Sequence, residues 1–159
     1  MVQVLCVCLG NICRSPTAEA VLRARAEKAG LGQVLRVDSA GTSAFHVNEP
    51  PDKRARAKAL ERGYDLSDIR ARRFSATDFQ VFDYILAMDA SNQAELLNQC
   101  PGSERHKVEL FMRYHPDSDL DQVPDPYFGG EDGFERVLDL IEAASDGFIK
   151  HLQNTHYAR

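Results

Sequence analysis

Long apolar runs and an excess of positive charge are both missing from this sequence of 159 residues. No apolar run approaches the roughly 18 residues that a membrane-spanning helix needs, so we expect no membrane insertion. The formal net charge is −5, whereas general nucleic-acid binding needs a basic face, so we expect no nucleic-acid partner. The N-terminus shows no basic segment followed by an apolar stretch and a small-residue cleavage site, and we therefore expect a cytoplasmic protein.

Cysteine is scarce as well, with four residues in the chain. Cys6, Cys8 and Cys13 form no Cys-x-x-Cys pair, and their spacing does not suit zinc. In a reducing compartment stable structural disulfides are not expected, so the cysteines are predicted to be free thiols. Because the histidines also lack the spacing of metal ligands, we expect neither a metal nor another cofactor.

The order of predicted elements indicates the fold class. Strands and helices alternate, which is typical of a parallel sheet with helices on both faces and right-handed crossovers. We therefore predict one domain over residues 1–159, with an α/β fold of three layers (α/β/α) around a four-stranded parallel sheet, flavodoxin-like or Rossmann-like. The predicted strands cover residues 2–8, 34–37, 82–88 and 107–111, and the predicted helices about 16–29, 50–62, 89–97 and 134–152.

The segment from Cys8 to Ser15 is the most informative part of the chain. It joins the first predicted strand to a helix that begins with Ser15-Pro16. A loop of this kind directs backbone N–H groups and the positive end of a helix dipole at one point. We therefore predict a phosphate-binding loop after the first strand. Its predicted phosphate-binding residues are Leu9, Gly10, Asn11, Ile12, Cys13 and Ser15.

Two polar residues further along the chain are expected near this loop. Ligands of open parallel sheets bind beyond the carboxyl ends of the strands. Ser39 and Asp89 follow later predicted strands, so they should lie at the same edge of the sheet as the loop.

Cys8 and Arg14 supply the chemistry of the loop. A thiolate is a strong nucleophile at neutral pH only if its pKa falls below the value of about 8.5 for a free thiol. Loop amides, the helix dipole and Arg14 all favour the anion, and the planar guanidinium suits two phosphate oxygens at once. A buried cysteine at a strand end beside a surface arginine is the alternative interpretation. The loop lacks the Gly-Lys-Ser/Thr ending of nucleotide-binding P-loops, which disfavours a nucleotide site.

Asp125 is the predicted proton donor. It lies in the sequence Pro124-Asp125-Pro126, and the two prolines hold it in an extended loop rather than in a helix. Over the pocket it could protonate a departing phenolate and later activate water to hydrolyse the phosphocysteine. A simple turn is the alternative interpretation of this sequence.

These segments together resemble the low-molecular-weight protein tyrosine phosphatase family. The resemblance covers essentially the whole chain, and it implies Cys8 as nucleophile, Arg14 as phosphate clamp and Asp125 as general acid and base. The implied loop supports are Asn11, Ser15 and Ser39, and the implied pocket wall consists of Phe45, Tyr127 and Phe128. Ordinary packing would account equally well for the three aromatic residues. The segments that carry the resemblance are residues 7–16, 37–42, 82–89 and 125–127.

The resemblance also bears on three single positions. Family members specialised for phosphoarginine have threonine where this chain has Ile12, so isoleucine favours phosphotyrosine. Cys13 is implied to form a reversible disulfide with Cys8 that protects the nucleophile from over-oxidation. Some members carry a histidine just before the segment that matches Ala71-Arg72, where this chain has Ile69 and Arg70, so no role is transferred to that position.

The sequence thus predicts a metal-independent phosphatase that hydrolyses phosphotyrosine and small aryl phosphates through a phosphocysteine on Cys8. The expected partners are tyrosine-phosphorylated proteins and a cognate tyrosine kinase, and the expected state is a monomer or weak dimer. A thiol-dependent arsenate reductase is one alternative, although such enzymes need further cysteines after the third strand and residues 87–92 contain none. A phosphotyrosine-binding module without turnover is another, although binding alone needs no acid such as Asp125.

Overall fold

The computed structural model describes residues 1–126 and 131–156, in which four parallel strands form one sheet. The strands lie in the order β2-β1-β3-β4, so β1 is central and the chain crosses from one side of it to the other. This arrangement confirms the predicted four-stranded parallel sheet. The strand bounds are Val2–Cys8 for β1, Leu35–Gly41 for β2, Tyr84–Ala87 for β3 and Val108–Leu110 for β4.

Helices cover both faces of the sheet, which confirms the predicted three layers. Residues of α1 and α5 pack in one core cluster, and residues of α3 and α4 pack in the cluster on the opposite face. In the described part of the chain no helix is both long enough and apolar enough to cross a membrane. The helix bounds are Arg14–Lys28 for α1, Lys53–Glu61 for α2, Asp78–Val81 for α3, Ala90–Gln99 for α4 and Glu131–Thr155 for α5, with short 3-10 turns at Gly102–Lys107 and Phe111–Tyr114.

Side chains of β1 alternate between the two core clusters. Val4 and Cys6 face α1 and α5, whereas Leu5 and Val7 face α3 and α4. All four are fully buried. A central parallel strand is covered on both faces, and residues 4–8 of β1 therefore read as a continuous apolar run.

Two of the boundaries that differ from the prediction, and one helix that was not predicted, have a physical explanation. The first helix starts at Arg14 rather than at residue 16, because its first turn is buried polar sequence without apolar periodicity. Strand β2 continues beyond residue 37 to Gly41, since residues 38–41 pair in register with β1, for example Ser39 with Cys6. The four-residue helix α3 was not predicted, and its fully buried Phe79 packs under the sheet.

Candidate active site

The loop from Leu9 to Cys13 lies at the carboxyl edge of the sheet, between the end of β1 and the start of α1. Backbone hydrogen bonds fix it from two neighbouring segments. The N–H of Ser43 donates to the carbonyl of Leu9 at 2.9 Å, and the N–H of Asp52 donates to the carbonyl of Ile12 at 2.8 Å. The loop is therefore held at both ends by chain that follows β2.

Gly41, the last residue of β2, allows the loop to pass close to the strand. A Cβ atom at this position would lie 2.8 Å from the carbonyl oxygen of Leu9 and 3.1 Å from the carbonyl carbon of Gly10. Both are backbone atoms, which cannot swing aside as a side chain can. Any residue other than glycine would displace the loop.

Asn11 is the internal support of the loop. It has a left-handed backbone conformation, with φ of 57°, and its side chain is 1% exposed. Its Oδ1 accepts from the N–H of Arg72 at 3.0 Å, while its Nδ2 donates to Ser15 Oγ at 2.8 Å and to Ser39 Oγ at 3.0 Å. Asparagine tolerates this conformation better than most residues, and here the side chain holds it in place. The side chains of Asn11, Ser15 and Ser39 therefore lie behind the loop backbone rather than in the cavity.

Cys8 is the last residue of β1, and its thiol lies at the base of the loop. Its Sγ is 3.0 Å from Ser15 Oγ, the second residue of α1. The N-terminal end of α1 carries partial positive charge, which stabilises an anion at this point. The sulfur is thus placed beside a hydroxyl and a helix N-terminus, as a reactive thiolate requires.

Arg14 is buried and oriented by groups far away in the sequence. One guanidinium nitrogen, Nη1, donates to Asp89 Oδ2 at 2.7 Å and to the carbonyl of Val123 at 2.9 Å. The other oxygen of Asp89 accepts from the N–H of Asn92 at 2.7 Å and caps α4. With Nη1 occupied, the remaining N–H groups of Arg14 are available to an anion in the cavity.

Asp125 is brought over the same cavity by the segment that follows the second 3-10 turn. The N–H of Val123 donates to the carbonyl of Met88 at 2.7 Å, which anchors this segment at the end of β3. The side chain of Asp125 is 35% exposed, and its Oδ2 lies 3.8 Å from Arg14 Nη2. A carboxyl group is therefore placed at the mouth, on the solvent side of the guanidinium.

These groups line one cavity of about 190 Å³. Phe45 stands at the rim with 85% of its surface exposed, and the His46 ring packs against Gly10 and contacts Glu49. Tyr127 and Phe128, the other two predicted wall residues, lie outside the described residues. The cavity is lined by Cys8, Leu9, Gly10, Ile12, Cys13, Arg14, Ser43, Phe45, His46 and Asp125.

The comparison with protein families agrees with this geometry. The family described as low molecular weight phosphotyrosine protein phosphatase matches residues 3–157. The chain belongs to this family. The match confirms the resemblance inferred from the sequence motifs.

Individual members of the phosphatase family are similar over nearly their full length. A low molecular weight protein-tyrosine-phosphatase of Streptomyces coelicolor is 48% identical over 152 residues, covering 92% of this chain and 91% of the relative. A crystal structure of a protein tyrosine phosphatase from Entamoeba histolytica superposes with a TM-score of 0.94 at 40% identity, covering 97% of this chain and 98% of the other. A Drosophila arginine phosphatase superposes with a TM-score of 0.87 at 36% identity, covering 94% and 97%.

The other thiols of this phosphatase-family chain differ from Cys8 in their surroundings. Cys13 lines the cavity, but burial and the charge of Asp52 raise its pKa. Burial, with the charge of Glu19 added, raises the pKa of Cys6. Burial also raises the pKa of Cys100, which lies beyond the described active-site elements at the end of α4. In the structure all four cysteines are free thiols.

Three supporting residues were not assigned a role by the motifs. Arg72 supplies the backbone N–H that orients Asn11, and Asp89, although expected at this edge, was not predicted to hold Arg14. Glu19 accepts a hydrogen bond from Ser39 Oγ at 2.6 Å and is buried in α1. A charged residue on the buried side of a predicted helix is the signal that could have indicated Glu19.

Within residues 1–126 and 131–156, no group of three or more histidine, cysteine, aspartate or glutamate residues is arranged to hold a metal ion.

Proposed function

We propose that this chain is a protein-tyrosine phosphatase that hydrolyses phosphotyrosine and small aryl phosphates through a phosphocysteine on Cys8. The observation that carries the proposal is the convergence of a thiol, a guanidinium and a carboxyl group on one cavity, from Cys8, Arg14 and Asp125. Each group comes from a different part of the chain, and each has a separate task in phosphoryl transfer. Membership of the phosphatase family supports the same conclusion.

The first step transfers the phosphoryl group to sulfur. The thiolate of Cys8 forms a bond to phosphorus while the bond from phosphorus to the phenolic oxygen breaks, and Asp125 gives its proton to that oxygen. The N–H groups of the loop and of Arg14 neutralise the equatorial oxygens of the transferring phosphoryl group. The products of this step are the free phenol and the phosphocysteine.

The second step regenerates the enzyme. The Asp125 carboxylate now accepts a proton from water, and the water oxygen attacks phosphorus as the bond to sulfur breaks. Inorganic phosphate leaves, Cys8 returns to the thiolate and Asp125 is again protonated. Because the same carboxyl group serves as acid and then as base, no second proton carrier is needed.

The dimensions and lining of the cavity support an aryl phosphate as substrate. An apolar cavity of about 150 Å³ can hold benzene, and the cavity here is about 190 Å³. Leu9, Ile12 and Phe45 supply apolar surface between the rim and the thiol. A phenyl ring would bury this surface, whereas phosphoserine would leave it in contact with water. Ile12 also offers no hydrogen-bond partner to the guanidinium of phosphoarginine.

Several broader properties are part of the proposal. We propose a cytoplasmic location, because catalysis needs a reduced Cys8 and a reducing compartment maintains it. The family match over residues 3–157 supports a single catalytic domain across the chain. Tyrosine-phosphorylated proteins are the proposed substrates, a cognate tyrosine kinase is the proposed source of them, and a monomer or weak dimer is the proposed state. Reversible pairing of Cys8 with Cys13 under oxidation is proposed as protection of the nucleophile.

The central experiment compares phosphotyrosine, phosphoserine and phosphoarginine peptides as substrates of the purified protein and of Cys8→Ser. We expect the phosphotyrosine peptide to be preferred, no effect of a chelator, and no turnover of any substrate by Cys8→Ser. Cys100→Ser is the matched control, because it removes a thiol outside the cavity, and it should retain full activity. Activity in Cys8→Ser would overturn the mechanism, and preference for phosphoarginine would overturn the substrate class.

The role of Asp125 is tested with leaving groups of different basicity. In Asp125→Asn we expect turnover of phenyl phosphate to fall by about 10²- to 10⁴-fold, since a poor leaving group depends on the acid. Turnover of p-nitrophenyl phosphate should fall much less. Asp121→Asn, an exposed change in the same segment, is the control. Equal losses for both substrates would remove Asp125 from the acid role.

A further inference from the structure

Glu19 is a buried carboxylate that the phosphatase mechanism does not use directly. It lies in α1 with 5% of its surface exposed, so its two oxygens depend on protein partners. Oε1 accepts from Ser39 Oγ at 2.6 Å, and Oε2 accepts from Arg23 Nη2 at 2.6 Å. Because both oxygens accept a hydrogen bond, the site fits the ionised form. An isolated buried charge would be costly, and these two donors offset that cost.

A chain of hydrogen bonds through Ser39, Asn11 and Ser15 connects Glu19 to Cys8, and the donor and the acceptor of each bond can be assigned. The backbone N–H of Arg72 can only donate, and it lies 3.0 Å from Asn11 Oδ1, so this atom is the acceptor. The amide nitrogen of Asn11 must then face the opposite way, toward the two serine hydroxyls. Its two hydrogens are donated to Ser15 Oγ and to Ser39 Oγ.

Both serine oxygens therefore accept from Asn11, and each hydroxyl hydrogen must go elsewhere. The hydrogen of Ser39 goes to Glu19, its neighbour at 2.6 Å. The hydrogen of Ser15 is directed at Cys8 Sγ at 3.0 Å, which is a better partner than the carbonyl of Ala40 at 3.4 Å. The order of donation thus runs outward from Asn11, to Glu19 on one side and to the sulfur on the other.

We propose that Glu19 is a positioning residue that acts through Ser39 and Asn11 to keep the Ser15 hydroxyl donating to the Cys8 thiolate. When the Glu19 carboxylate no longer offers one oxygen to Arg23 and the other to Ser39, the Ser39 hydroxyl lacks its own acceptor and turns toward Asn11. Because the N–H of Arg72 keeps Asn11 Oδ1 on its own side, the turned hydroxyl meets the Nδ2 hydrogens and pushes the amide away from the two serines. The Ser15 hydroxyl is then no longer fixed and can donate to the carbonyl of Ala40 instead of Cys8, so the thiolate loses a stabilising hydrogen bond.

The surroundings of Glu19 agree with this assignment. Arg23, half exposed on the same helix, also donates to the carbonyl of Val37 at 2.9 Å, which holds its guanidinium over the carboxylate. Burial raises the pKa of Glu19, and the hydrogen bonds of Ser39 and Arg23 act against that rise. Asp38 on β2 adds a negative charge, and Cys6 lies close enough for its own pKa to be raised by Glu19.

The inference rests on the proposed role of Cys8 as nucleophile, and it is tested with Glu19→Gln. Glutamine keeps the shape, but it has one acceptor oxygen where the site needs two. The readout is the rate of Cys8 alkylation by iodoacetamide against pH, with the labelled sulfur identified by mass spectrometry. We expect the midpoint of the profile to move to higher pH and kcat/KM on an aryl phosphate to fall about tenfold, the size of one charge-assisted hydrogen bond.

A double-mutant cycle with Ser39→Ala identifies the path. If Glu19 acts through Ser39, the Glu19→Gln change should cost about tenfold in the parent and less than twofold in the Ser39→Ala background. Equal costs in both backgrounds would overturn the proposal. Should Glu19→Gln fail to fold, Ser39→Ala alone carries the test, since it must move the alkylation profile in the same direction.

Val21→Ala is the matched control for loss of stability, because Val21 is a fully buried residue of the same helix. It should lower the free energy of unfolding without moving the alkylation profile, and a similar shift in this variant would overturn the proposal. The experiments distinguish a failure of this inference from a failure of the proposed function. Absence of phosphotyrosine turnover in the parent protein would remove the function, whereas normal turnover with an unchanged profile in Glu19→Gln would remove only the positioning role.

Discussion

Glu19 and Glu142 are two carboxylates that each accept hydrogen bonds from at least two side chains, but they differ in their exposure to solvent. Glu19 is buried next to the catalytic loop, whereas the side chain of Glu142 is 21% exposed on α5. Glu142 accepts from Tyr64 Oη at 2.5 Å, Arg62 Nη1 at 2.6 Å and Arg25 Nη2 at 2.8 Å. Glu19 belongs to an inner hydrogen-bond network with Ser39, Asn11 and Ser15, which orders the site. Glu142 belongs to an outer network with Tyr64, Arg62 and Arg25, which connects α5 to α1 and to the end of α2.

The pKa values of the two groups shift in opposite directions. Burial raises the pKa of Glu19 despite its two donors. Burial also acts to raise the pKa of Glu142, but the hydrogen bonds from Tyr64, Arg25 and Arg62 outweigh it and the pKa is lowered. Glu19 therefore orders the loop through Ser39 although its burial disfavours the charged form. The outer carboxylate contributes to the stability of the fold.

The largest effect is expected from Asn11→Ala, which breaks the inner network at its centre. Alanine would remove all three hydrogen bonds and would also strain the backbone at φ of 57°. Leaving buried donors and acceptors unpaired should cost about 2–4 kcal/mol in the free energy of unfolding. We expect kcat/KM on an aryl phosphate to fall by about 10²-fold or more, because loop geometry controls the chemical step.

Asn48→Ala is the matched control for Asn11→Ala. Asn48 has a φ of 72° but is exposed and lies outside the network, so the change introduces the same backbone strain alone. We expect a loss of about 1 kcal/mol in urea unfolding and kcat/KM within about twofold of the parent. An equal loss of activity in the two variants would show that strain, rather than the network, is responsible.

A smaller effect is expected from Arg62→Ala, which breaks the outer network. Arg62 contacts Glu135 at 2.6 Å, Asp139 at 2.9 Å and Glu142 at 2.6 Å. Because this network is open to solvent, its loss should cost about 1 kcal/mol and lower Tm by about 2–4 °C, while kcat/KM is unchanged. In 1 M salt the difference from the parent should shrink, and a difference that grows with salt would contradict the ionic explanation.

The smallest effect is a difference in the pH dependence of stability. Glu19 has a folded pKa above its ordinary value of 4.5, so its contribution to stability is fully present below that value and is lost as pH rises through the folded pKa. Glu142 has a folded pKa below 4.5, so its contribution is present above that value and is lost as pH falls through the folded pKa. Urea unfolding of the parent, Glu19→Gln and Glu142→Gln between pH 3 and 7 should give differences with opposite slopes. Slopes of the same sign would contradict the comparison.

The sheet could be predicted from the sequence because its signals are local. β1 is covered on both faces, so its residues 4–8 read as an uninterrupted apolar run that is visible locally. Helix α3 could not be predicted, since four residues are too few to show a helical period. Residues 38–41 of β2 read as a loop, because Asp38 and Gly41 are residue types that are depleted in strands and the pairing with β1 is a long-range property.

The reacting groups of the proposed site and its nearest supports, Asn11, Ser15 and Ser39, follow from local motifs and the family resemblance, whereas the more distant supports do not. Cys8 and Arg14 share one short loop, and Asp125 stands between two prolines, so each is visible within a few residues of sequence. Glu19 and Asp89 act by contacts with residues far along the chain, and no spacing rule connects such partners. Glu19 is marked in the sequence only by its charge on the buried side of the first helix, and that charge does not reveal its partner Ser39.

Asp89 couples the position of Arg14, the proposed phosphate clamp, to the stability of the first turn of α4. One of its oxygens holds Arg14, and the other caps α4 through the amide of Asn92. If Asp89 swings away, Asn92 loses its cap and Arg14 Nη1 loses one of its two acceptors, so that the carbonyl of Val123 alone holds it. Hydrogen exchange at the Asn92 amide, which is not part of the cavity lining, therefore reports how often the clamp is out of place.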